Sequence, residues 1–230
     1  MGKINPAKRN EETGPVLKPK RIFVVDDHPM MREGLRSVIN CEPDLIICGE
    51  ADSARKAIAQ IENASPDLAL VDITLPDKSG LELVKDLRAL CPDLLILAIS
   101  MHDESLYVER MLRAGAKGYI NKHQPPGELL KAIRKVLGGH LYMSPEISET
   151  FLRRFSNGAS PNHSPLEMLT DREFEIFQLL GKGKSGKEIS MQLCLSDKTV
   201  AVHNANIRRK LRLKTTAQLI RLAVESEAFH

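Results

Sequence analysis

The chain has 230 residues, of which 42% are hydrophobic, and its 33 Lys and Arg side chains nearly balance 30 Asp and Glu. This length suits one large domain or two ordinary ones with packed cores, so a chain that is disordered throughout is excluded. The 4 cysteines form no C-x-x-C pair, which argues against a disulfide framework or a thiolate metal site and fits a reducing cytosol.

The first segment, residues 1–20, is polar, basic and interrupted by Pro6, Pro15 and Pro19. It lacks the apolar core of a signal peptide, and we interpret it as a disordered basic tail. The longest uninterrupted apolar run of the chain, residues 94–99, is far too short to cross a bilayer. We therefore expect a soluble, cytoplasmic protein without a membrane anchor.

From residue 21 onward, five short apolar runs alternate with amphipathic stretches of helical periodicity. Several runs are apolar on consecutive residues, as strands covered on both faces require. Five such βα units in succession predict a parallel, doubly wound α/β sheet over residues 21–143. The apolar runs are residues 22–25, 45–48, 68–71, 94–99 and 118–120.

A change in composition separates this sheet from the last part of the chain. Residues 155–165, FSNGASPNHSP, lack apolar periodicity, so we interpret residues 144–165 as a helix and linker. Residues 166–230 carry only helical signals, which predict a small all-α domain of four helices. The expected N-terminal caps are Thr170 with Glu173, Ser185 with Glu188, Ser196, and Thr215 or Thr216.

Polar side chains follow four of the five apolar runs. Asp26 and Asp27 follow the first run, Asp72 the third, Ser100 the fourth and Lys122 the fifth. The carboxyl ends of parallel strands meet at one edge of a sheet, so these side chains should converge there. Grouped carboxylates repel one another unless a cation is present, and oxygen ligands suit Mg²⁺. A lysine and a hydroxyl are suited to holding phosphoryl oxygens.

Each of these residues also has an ordinary explanation. A single strand-end Asp more often caps a helix or shapes a turn, and a single Lys is usually solvated. Tyr119, three residues before Lys122, is as well explained by packing within a strand as by a role in the site. The combination of residue types at several strand ends is what predicts a site. The histidines, His28 and His123 among them, show no ligand spacing, and we expect them to be structural.

Four ordered segments resemble the receiver domain of bacterial response regulators, and the resemblance covers nearly all of residues 21–140. It implies the flavodoxin-like strand order 2-1-3-4-5. The segments are VVDDHPMMREGL (24–35), ALVDITLPDKSGLEL (69–83), LAISMHDE (97–104) and GAKGYINK (115–122).

The resemblance also implies a role for each site residue. Asp72 would be the carboxylate that a sensor histidine kinase phosphorylates, and Ser100 and Lys122 would sense the phosphoryl group. Tyr119 would turn inward as Ser100 moves toward that group. Thr74 and His102 are placed to modulate the access of water. The implied Mg²⁺ ligands are Asp26, Asp27, Asp72 and the main-chain carbonyl of Thr74.

Residues 181–187, GKGKSGK, match the G-x-x-x-x-G-K pattern of a P-loop. The next residue is Glu188 rather than a Ser or Thr, the preceding segment is helical, and no Walker-B-like strand follows. We therefore expect no ATP site here. The glycines are better explained as a helix break, and the lysines as nonspecific contacts to DNA phosphates.

Residues 169–211, followed by LKTTAQLIRLA, resemble the LuxR-type helix-turn-helix of NarL-group regulators. Between Asp197 and Glu225 the chain has basic but no acidic side chains, as expected where a helix meets phosphates. A solvated or dimerising helix is the ordinary alternative. Helical spacing turns Val200, His203, Ile207 and Leu211 inward and leaves Lys198, Ala201, Val202, Ala205, Arg208, Arg209 and Arg212 outward, on a face that would enter the major groove.

This segment departs from the LuxR pattern where the family often has basic base-reading residues. Ala201 and Ala205 can contact thymine methyls but cannot bond guanine. We expect phosphate contacts to dominate affinity, and DNA shape or Asn206 to govern sequence choice. Gly186, where the family usually has Asn, should loosen the second helix. The predicted DNA contacts are Lys198, Thr199, Ala201, Val202, Ala205, Asn206, Arg208, Arg209 and Lys214.

Together these features predict a two-component transcriptional regulator rather than a turnover enzyme. In the unphosphorylated protein, the receiver would either mask the outward face of the third helix or keep one monomer from pairing with another. Phosphorylation of Asp72 would release that restraint. The expected partners are a sensor histidine kinase, promoter DNA and a second copy of the chain, with RNA polymerase as a further candidate. Two alternatives stay open: a Mg²⁺-dependent hydrolase of small phosphorylated substrates, and an orphan regulator that is never phosphorylated.

Overall fold

The computed structural model describes residues 18–101, 105–145, 148–149, 165–193 and 195–228. Most of the predicted tail, most of the predicted linker, and His102 lie outside these residues. The predicted domain boundaries therefore stay predictions.

The first part of the chain forms one parallel five-stranded sheet in the order β2-β1-β3-β4-β5, which confirms the predicted topology. Each observed strand overlaps a predicted apolar run; four strands extend the run by one to three residues, and β4 is shifted by one residue toward the C-terminus. The strands are β1 (Lys20–Val25), β2 (Leu45–Ala51), β3 (Leu68–Asp72), β4 (Leu95–Ser100) and β5 (Gly118–Asn121).

Five helices cover the two faces of the sheet, and each contributes apolar side chains to one of two cores. On one face Phe23 and Val25 pack with residues of the second, third and fourth helices. On the other face Ile22 and Val24 pack with residues of the first and fifth. The helices are α1 (Pro29–Asn40), α2 (Ala54–Ala64), α3 (Gly80–Leu90), α4 (Ser105–Ala114) and α5 (Pro126–Leu137).

A short segment after α5 returns to the edge of the sheet, a feature that the sequence did not predict. Tyr142 forms a parallel bridge with Gly118. Its carbonyl accepts a hydrogen bond from the Tyr119 N–H (3.0 Å), and its own N–H donates to the Lys117 carbonyl (3.0 Å). The end of the predicted receiver, just before the predicted helix and linker, is therefore bonded to the backbone at the start of β5.

The last part of the chain is helical, and its predicted caps are present. Thr170 with Glu173 and Ser185 with Glu188 form capping boxes, and Ser196 caps the third helix. The Thr215 hydroxyl accepts a hydrogen bond from the Gln218 N–H (3.2 Å) at the fourth. A 3-10 turn (Pro165–Met168) precedes α6 (Asp171–Gly181), α7 (Gly186–Gln192), α8 (Asp197–Lys210) and α9 (Thr216–Ala228).

Gly80, the first residue of α3, lies directly on the end of β3. A Cβ atom there would overlap the Asp72 carbonyl oxygen and would lie 2.6 Å from Ile73 Cα. We expect Gly80→Ala to destabilise the protein by about 1–3 kcal/mol, the usual cost of overpacking a tight site.

The control is Gly34→Ala, because Gly34 lies within α1 and a Cβ atom added there would meet no atom of the described residues within 4 Å. That change should stabilise the protein by about 0.5–1 kcal/mol through helix propensity. Urea unfolding of both variants measures the difference, and equal effects would contradict the close approach at Gly80.

Candidate functional site

The structure brings three of the predicted site residues into direct contact. Lys122 Nζ lies 2.7 Å from Asp26 Oδ2 and 2.6 Å from Asp72 Oδ2. Asp26 follows β1, Asp72 ends β3 and Lys122 follows β5, so the carboxyl edge of the sheet gathers them. Their side chains are 0%, 3% and 2% exposed, respectively. One ammonium group therefore lies between two buried carboxylates.

The backbone of the neighbouring strands fixes this arrangement. Asp72 lies opposite Ile99 in the β3–β4 register, one residue before Ser100. The Lys122 N–H donates to the Ser100 carbonyl (2.6 Å), so β4 and β5 end together. Ser100 is buried beside the predicted phosphoacceptor. Its role in sensing a phosphoryl group stays a prediction.

Asp27 and His28 complete the cluster from the loop that follows β1. His28 Nδ1 lies 2.6 Å from Asp27 Oδ1 and 3.3 Å from Asp26 Oδ1. The backbone N–H of His28 also donates a hydrogen bond to Asp26 Oδ1 (2.8 Å). The expectation that His28 lacks ligand spacing is therefore wrong, because one potential ligand atom from each of Asp26, Asp27, His28 and Asp72 lies within 4.8 Å of the others. Its position directly after two aspartates was the available signal.

Burial dominates the titration of the predicted phosphoacceptor. It raises the pKa of Asp72 to about 6, although the charge and hydrogen bond of Lys122 act in the opposite direction. The Asp26 carboxylate adds to the rise by repulsion. At neutral pH Asp72 is mostly ionised, and it takes up a proton more readily than an ordinary aspartate does.

The donor set fits a divalent cation that prefers oxygen ligands. Asp26 Oδ2 and Asp27 Oδ1 are buried without a well-directed hydrogen bond, although Lys122 and His28 lie within ion-pair distance. Buried carboxylate oxygens in this state are suited to coordinate a cation. Thr74 lies beside Asp72 and donates its N–H to Asp72 Oδ1 (3.1 Å). The role predicted for its carbonyl stays a prediction.

A carboxylate outside the cluster holds the loop between β3 and α3. Asp77 accepts hydrogen bonds from the N–H groups of Ala54 (2.9 Å) and Arg55 (3.0 Å) at the start of α2. Ser79 caps α3 by accepting a hydrogen bond from the Glu82 N–H. These contacts fix the second half of the loop that carries Thr74. No local pattern in the sequence indicates the cap that Asp77 supplies to α2, because the two segments are far apart in the chain.

Tyr119, the predicted switch residue, is fully buried in β5. It lies opposite Ala98 of β4, and its N–H is bonded to the Tyr142 carbonyl. The described conformation therefore has the inward aromatic ring. Its rotation on phosphorylation stays a prediction.

The predicted DNA-binding helix, α8, has the inward face that its periodicity predicted. Val200 and Ile207 are buried in the core of the helical region, and His203 and Leu211 are half-buried. The predicted outward side chains that are exposed are Lys198, Ala201, Val202, Ala205, Arg209 and Arg212.

Three of the predicted DNA contacts are less available. Arg208 is half-buried with its Nε enclosed, so less of its side chain is exposed than that of Arg209 or Arg212. Its contact with DNA stays a prediction. The Thr199 hydroxyl is bonded to Ser196 Oγ (2.8 Å), and Asn206 Oδ1 accepts a hydrogen bond from Arg209 (3.2 Å). Lys214, beyond α8, is exposed.

The segment predicted as a P-loop look-alike has the structure of a helix break. Gly181 ends α6, Gly183 has a positive φ of 75°, and Ser185 caps α7. A helix rather than a strand precedes it, as the sequence predicted.

The two parts of the chain contact each other through Arg110 of α4. Its guanidinium forms an ion pair with Asp171 (2.9 Å) and donates to the carbonyls of Leu166 and Leu169 (2.9 Å each). It also lies over the Phe174 ring, 4.5 Å from the centroid. Lys85 of α3 forms a second ion pair with Asp171.

This contact leaves the exposed side chains of α8 uncovered, so the receiver does not mask them in this conformation. Like charges also meet close to it. Burial raises the pKa of Glu175 on α6, and the carboxylate of Glu82 on α3 raises it further, against the effect of Arg172. Between α3 and α6, the attraction of Lys85 to Asp171 is therefore opposed by repulsion between Glu82 and Glu175.

Comparison with known proteins places both parts of the chain. Residues 22–134 match the family model for the response regulator receiver domain, and residues 167–223 match that for bacterial regulatory proteins of the luxR family. Within the described ranges, no helix has the length and apolar character to cross a membrane.

Similar proteins share nearly the full length. The transcriptional activator protein ExaE of Pseudomonas putida is 36% identical over 89% of this chain and 96% of its own. The nitrate/nitrite response regulator protein NarL of Escherichia coli K12 is 31% identical over 87% of this chain and 93% of its own. A crystal structure of a LuxR-family response regulator from Aurantimonas sp. SI85-9A1 is 34% identical with a TM-score of 0.58, covering 60% of this chain and 99% of that one.

Replacing Asp72 by Asn should stabilise the metal-free protein at neutral pH. A raised pKa means that ionised Asp72 disfavours the folded state, and this cost grows between about pH 4 and 6 and is complete above that range. We expect the free energy of unfolding to rise by roughly 1–3 kcal/mol at about pH 7.5 and to be nearly unchanged at about pH 4.

Urea unfolding with a chelator across this pH range measures the effect. The control is Asp93→Asn, since Asp93 is exposed and outside the cluster. A stabilisation of Asp72→Asn that is the same at both pH values would contradict the assignment to a buried charge.

Proposed function

Because the chain belongs to the two-component response regulators of the NarL/LuxR type, which are transcriptional regulators, we propose that phosphorylation of Asp72 by a sensor histidine kinase controls its binding to promoter DNA. The observation that carries this proposal is the buried contact of Asp72 with Lys122, 2.6 Å apart, within the acidic cluster of Asp26 and Asp27.

The side chains of the cluster suit phosphoryl transfer to Asp72. An ionised Asp72 oxygen attacks phosphorus, the bond from phosphorus to the donor imidazole nitrogen breaks, and that nitrogen keeps the electron pair. Lys122 holds a positive charge beside the developing equatorial oxygens. A bound Mg²⁺, held by Asp26, Asp27, Asp72 and the carbonyl of Thr74, would neutralise charge on the same oxygens. Hydrolysis of the acyl phosphate later returns Asp72 and inorganic phosphate.

We propose that the signal reaches the helical region by two routes. Ser100 ends β4 and Tyr119 lies within β5. The Tyr142 segment is bonded to the Tyr119 backbone. Arg110 of α4 holds the start of α6. A change in β5 and α4 that follows phosphorylation would act on both contacts, since Arg110 joins the receiver to the helical region and the Tyr142 segment leads into the predicted linker.

DNA binding is proposed to use two copies of the chain on paired half-sites. One helical module offers few phosphate contacts, and two joined modules gain effective concentration. Ile220 and Val224 of α9 are 40% and 45% exposed, and they supply apolar surface that a second copy could cover. A sensor kinase and RNA polymerase are the other proposed partners.

Phosphorylation is tested by the intact mass of the protein after treatment with acetyl phosphate and Mg²⁺. We expect the mass to increase by one phosphoryl group in the native chain and in Asp93→Asn, and not in Asp72→Asn. At each salt concentration of a series, treatment should increase the DNA affinity of the native chain and should leave that of Asp72→Asn unchanged.

Two results would contradict the proposal. Continued release of phosphate from phosphorylated metabolites without a kinase would favour the hydrolase alternative. Failure of the native chain to gain mass would favour a receiver that serves only as a dimerisation platform.

Replacing Arg110 by Ala should loosen the contact between the two parts of the chain. Charge-assisted hydrogen bonds to Asp171 and two carbonyls are lost. Because α8 is already uncovered, we propose that this contact restrains the pairing of two copies on DNA, so the unphosphorylated variant should bind paired half-sites about three- to tenfold more tightly. Fluorescence anisotropy at fixed salt measures the affinity.

The matched control is Arg113→Ala on the same helix, because Arg113 pairs with Glu109 within α4. Both variants remove one positive charge. Equal affinities of the two variants would mean that the Arg110 contact does not restrain DNA binding.

A further inference from the structure

The exposed face of α8 is apolar at its centre and basic at its ends, and we infer that the chain selects its DNA half-site through the 5-methyl groups of thymine. The inference rests on the proposed function, because it requires α8 to lie in the major groove.

The apolar centre consists of Ala201, Val202 and Ala205, which lie one and three residues apart and are all exposed. Val202 is 52% exposed, whereas Val200 and Ile207 on the opposite side are 1% and 0% exposed. A single exposed valine is ordinary, but three neighbouring apolar side chains form a small patch at the middle of a helix that would face the bases. None of the three can donate or accept a hydrogen bond through its side chain.

Two polar side chains near this patch, Thr199 and Asn206, are engaged in hydrogen bonds within α8 or at its cap. The Thr199 hydroxyl is bonded to Ser196 Oγ (2.8 Å). Asn206 Oδ1 accepts a hydrogen bond from Arg209 (3.2 Å). Bidentate recognition of adenine by asparagine requires both the amide oxygen and the amide nitrogen. Asn206 is therefore not prepared for that contact. His203 Nδ1 and Asn204 Oδ1 are enclosed within the protein, which favours the exposed apolar patch as the base-reading surface.

Basic side chains flank the patch along the chain. Lys198 lies in the first turn of α8, and Arg209, Arg212 and Lys214 lie at or beyond its last turn, all exposed. Phosphate contacts from these residues would fix the helix in the groove without carrying sequence information. In this arrangement the basic side chains position the helix, and the patch reads the bases.

Thymine is the one standard base that presents a methyl group in the major groove. Replacing it by uracil removes this methyl and leaves its hydrogen-bonding groups unchanged. Burying one methyl group corresponds to about a fourfold change in affinity. The substitution therefore tests the inference without altering the protein.

The experiment uses the full chain treated with acetyl phosphate and Mg²⁺. Binding sites are selected from a random duplex pool, and each thymine of a selected half-site is then replaced by uracil. We expect one to three positions at which affinity falls about fourfold at fixed salt, with an unchanged salt slope. Tight, selective binding that is insensitive to uracil at every position would overturn the inference and leave the proposed function standing. Failure to bind any duplex would instead count against the proposed function.

A variant pair assigns the contact to the patch. Val202→Ala should reduce the loss of affinity caused by uracil at one position. In this variant the thymine methyl group has already lost the valine side chain that it contacts, so removing the methyl costs less. Ile46→Val is the control, since Ile46 is a similarly exposed β-branched side chain on β2, away from α8 and from the α9 surface proposed for pairing. Arg209→Ala should weaken binding to thymine and uracil duplexes equally and lower the salt slope by about 1. An unchanged uracil penalty in Val202→Ala would place the readout elsewhere.

Discussion

A single lysine between two buried carboxylates is the interaction on which the rest of the molecule depends. Lys122 contacts Asp26 and Asp72, and none of the three side chains is more than 3% exposed. One positive charge cannot balance two negative charges, so the pocket keeps a net negative charge that water screens poorly. Burial is the main reason that the pKa of Asp72 is raised, and repulsion from Asp26 adds to it. The unbalanced negative charge also gives such a cluster affinity for an added cation.

The surrounding backbone holds this unfavourable cluster in place. Gly80 allows α3 to begin directly on the end of β3, and Asp77 joins the following loop to α2. The apolar cores on both faces of the sheet supply the stability that the pocket lacks. A buried site with unbalanced charge is sensitive to a further change in charge, which suits a switch that acts by phosphorylation.

Features with a local or periodic basis could be predicted from the sequence, and features that depend on long-range docking could not. The sheet was predictable because its strands are covered on both faces, and Thr170 and Ser185 were predictable because capping boxes are local. The convergence of Asp26, Asp72 and Lys122 follows from topology. The Tyr142 bridge has no strand periodicity, and the contacts of Arg110 join residues far apart in the chain. The roles of the site residues rest on family resemblance and chemistry.

The Tyr142 bridge has a consequence for how the modules of this chain can be separated or exchanged. The bridge occupies hydrogen-bonding groups at the outer edge of β5, at Lys117 and Tyr119. A receiver shortened to the end of α5 would present those groups as an open edge, which is a template for aggregation. Chimeric regulators that graft this receiver onto another output module should therefore join the two sequences after residue 143, so that the fragment keeps its own edge closed.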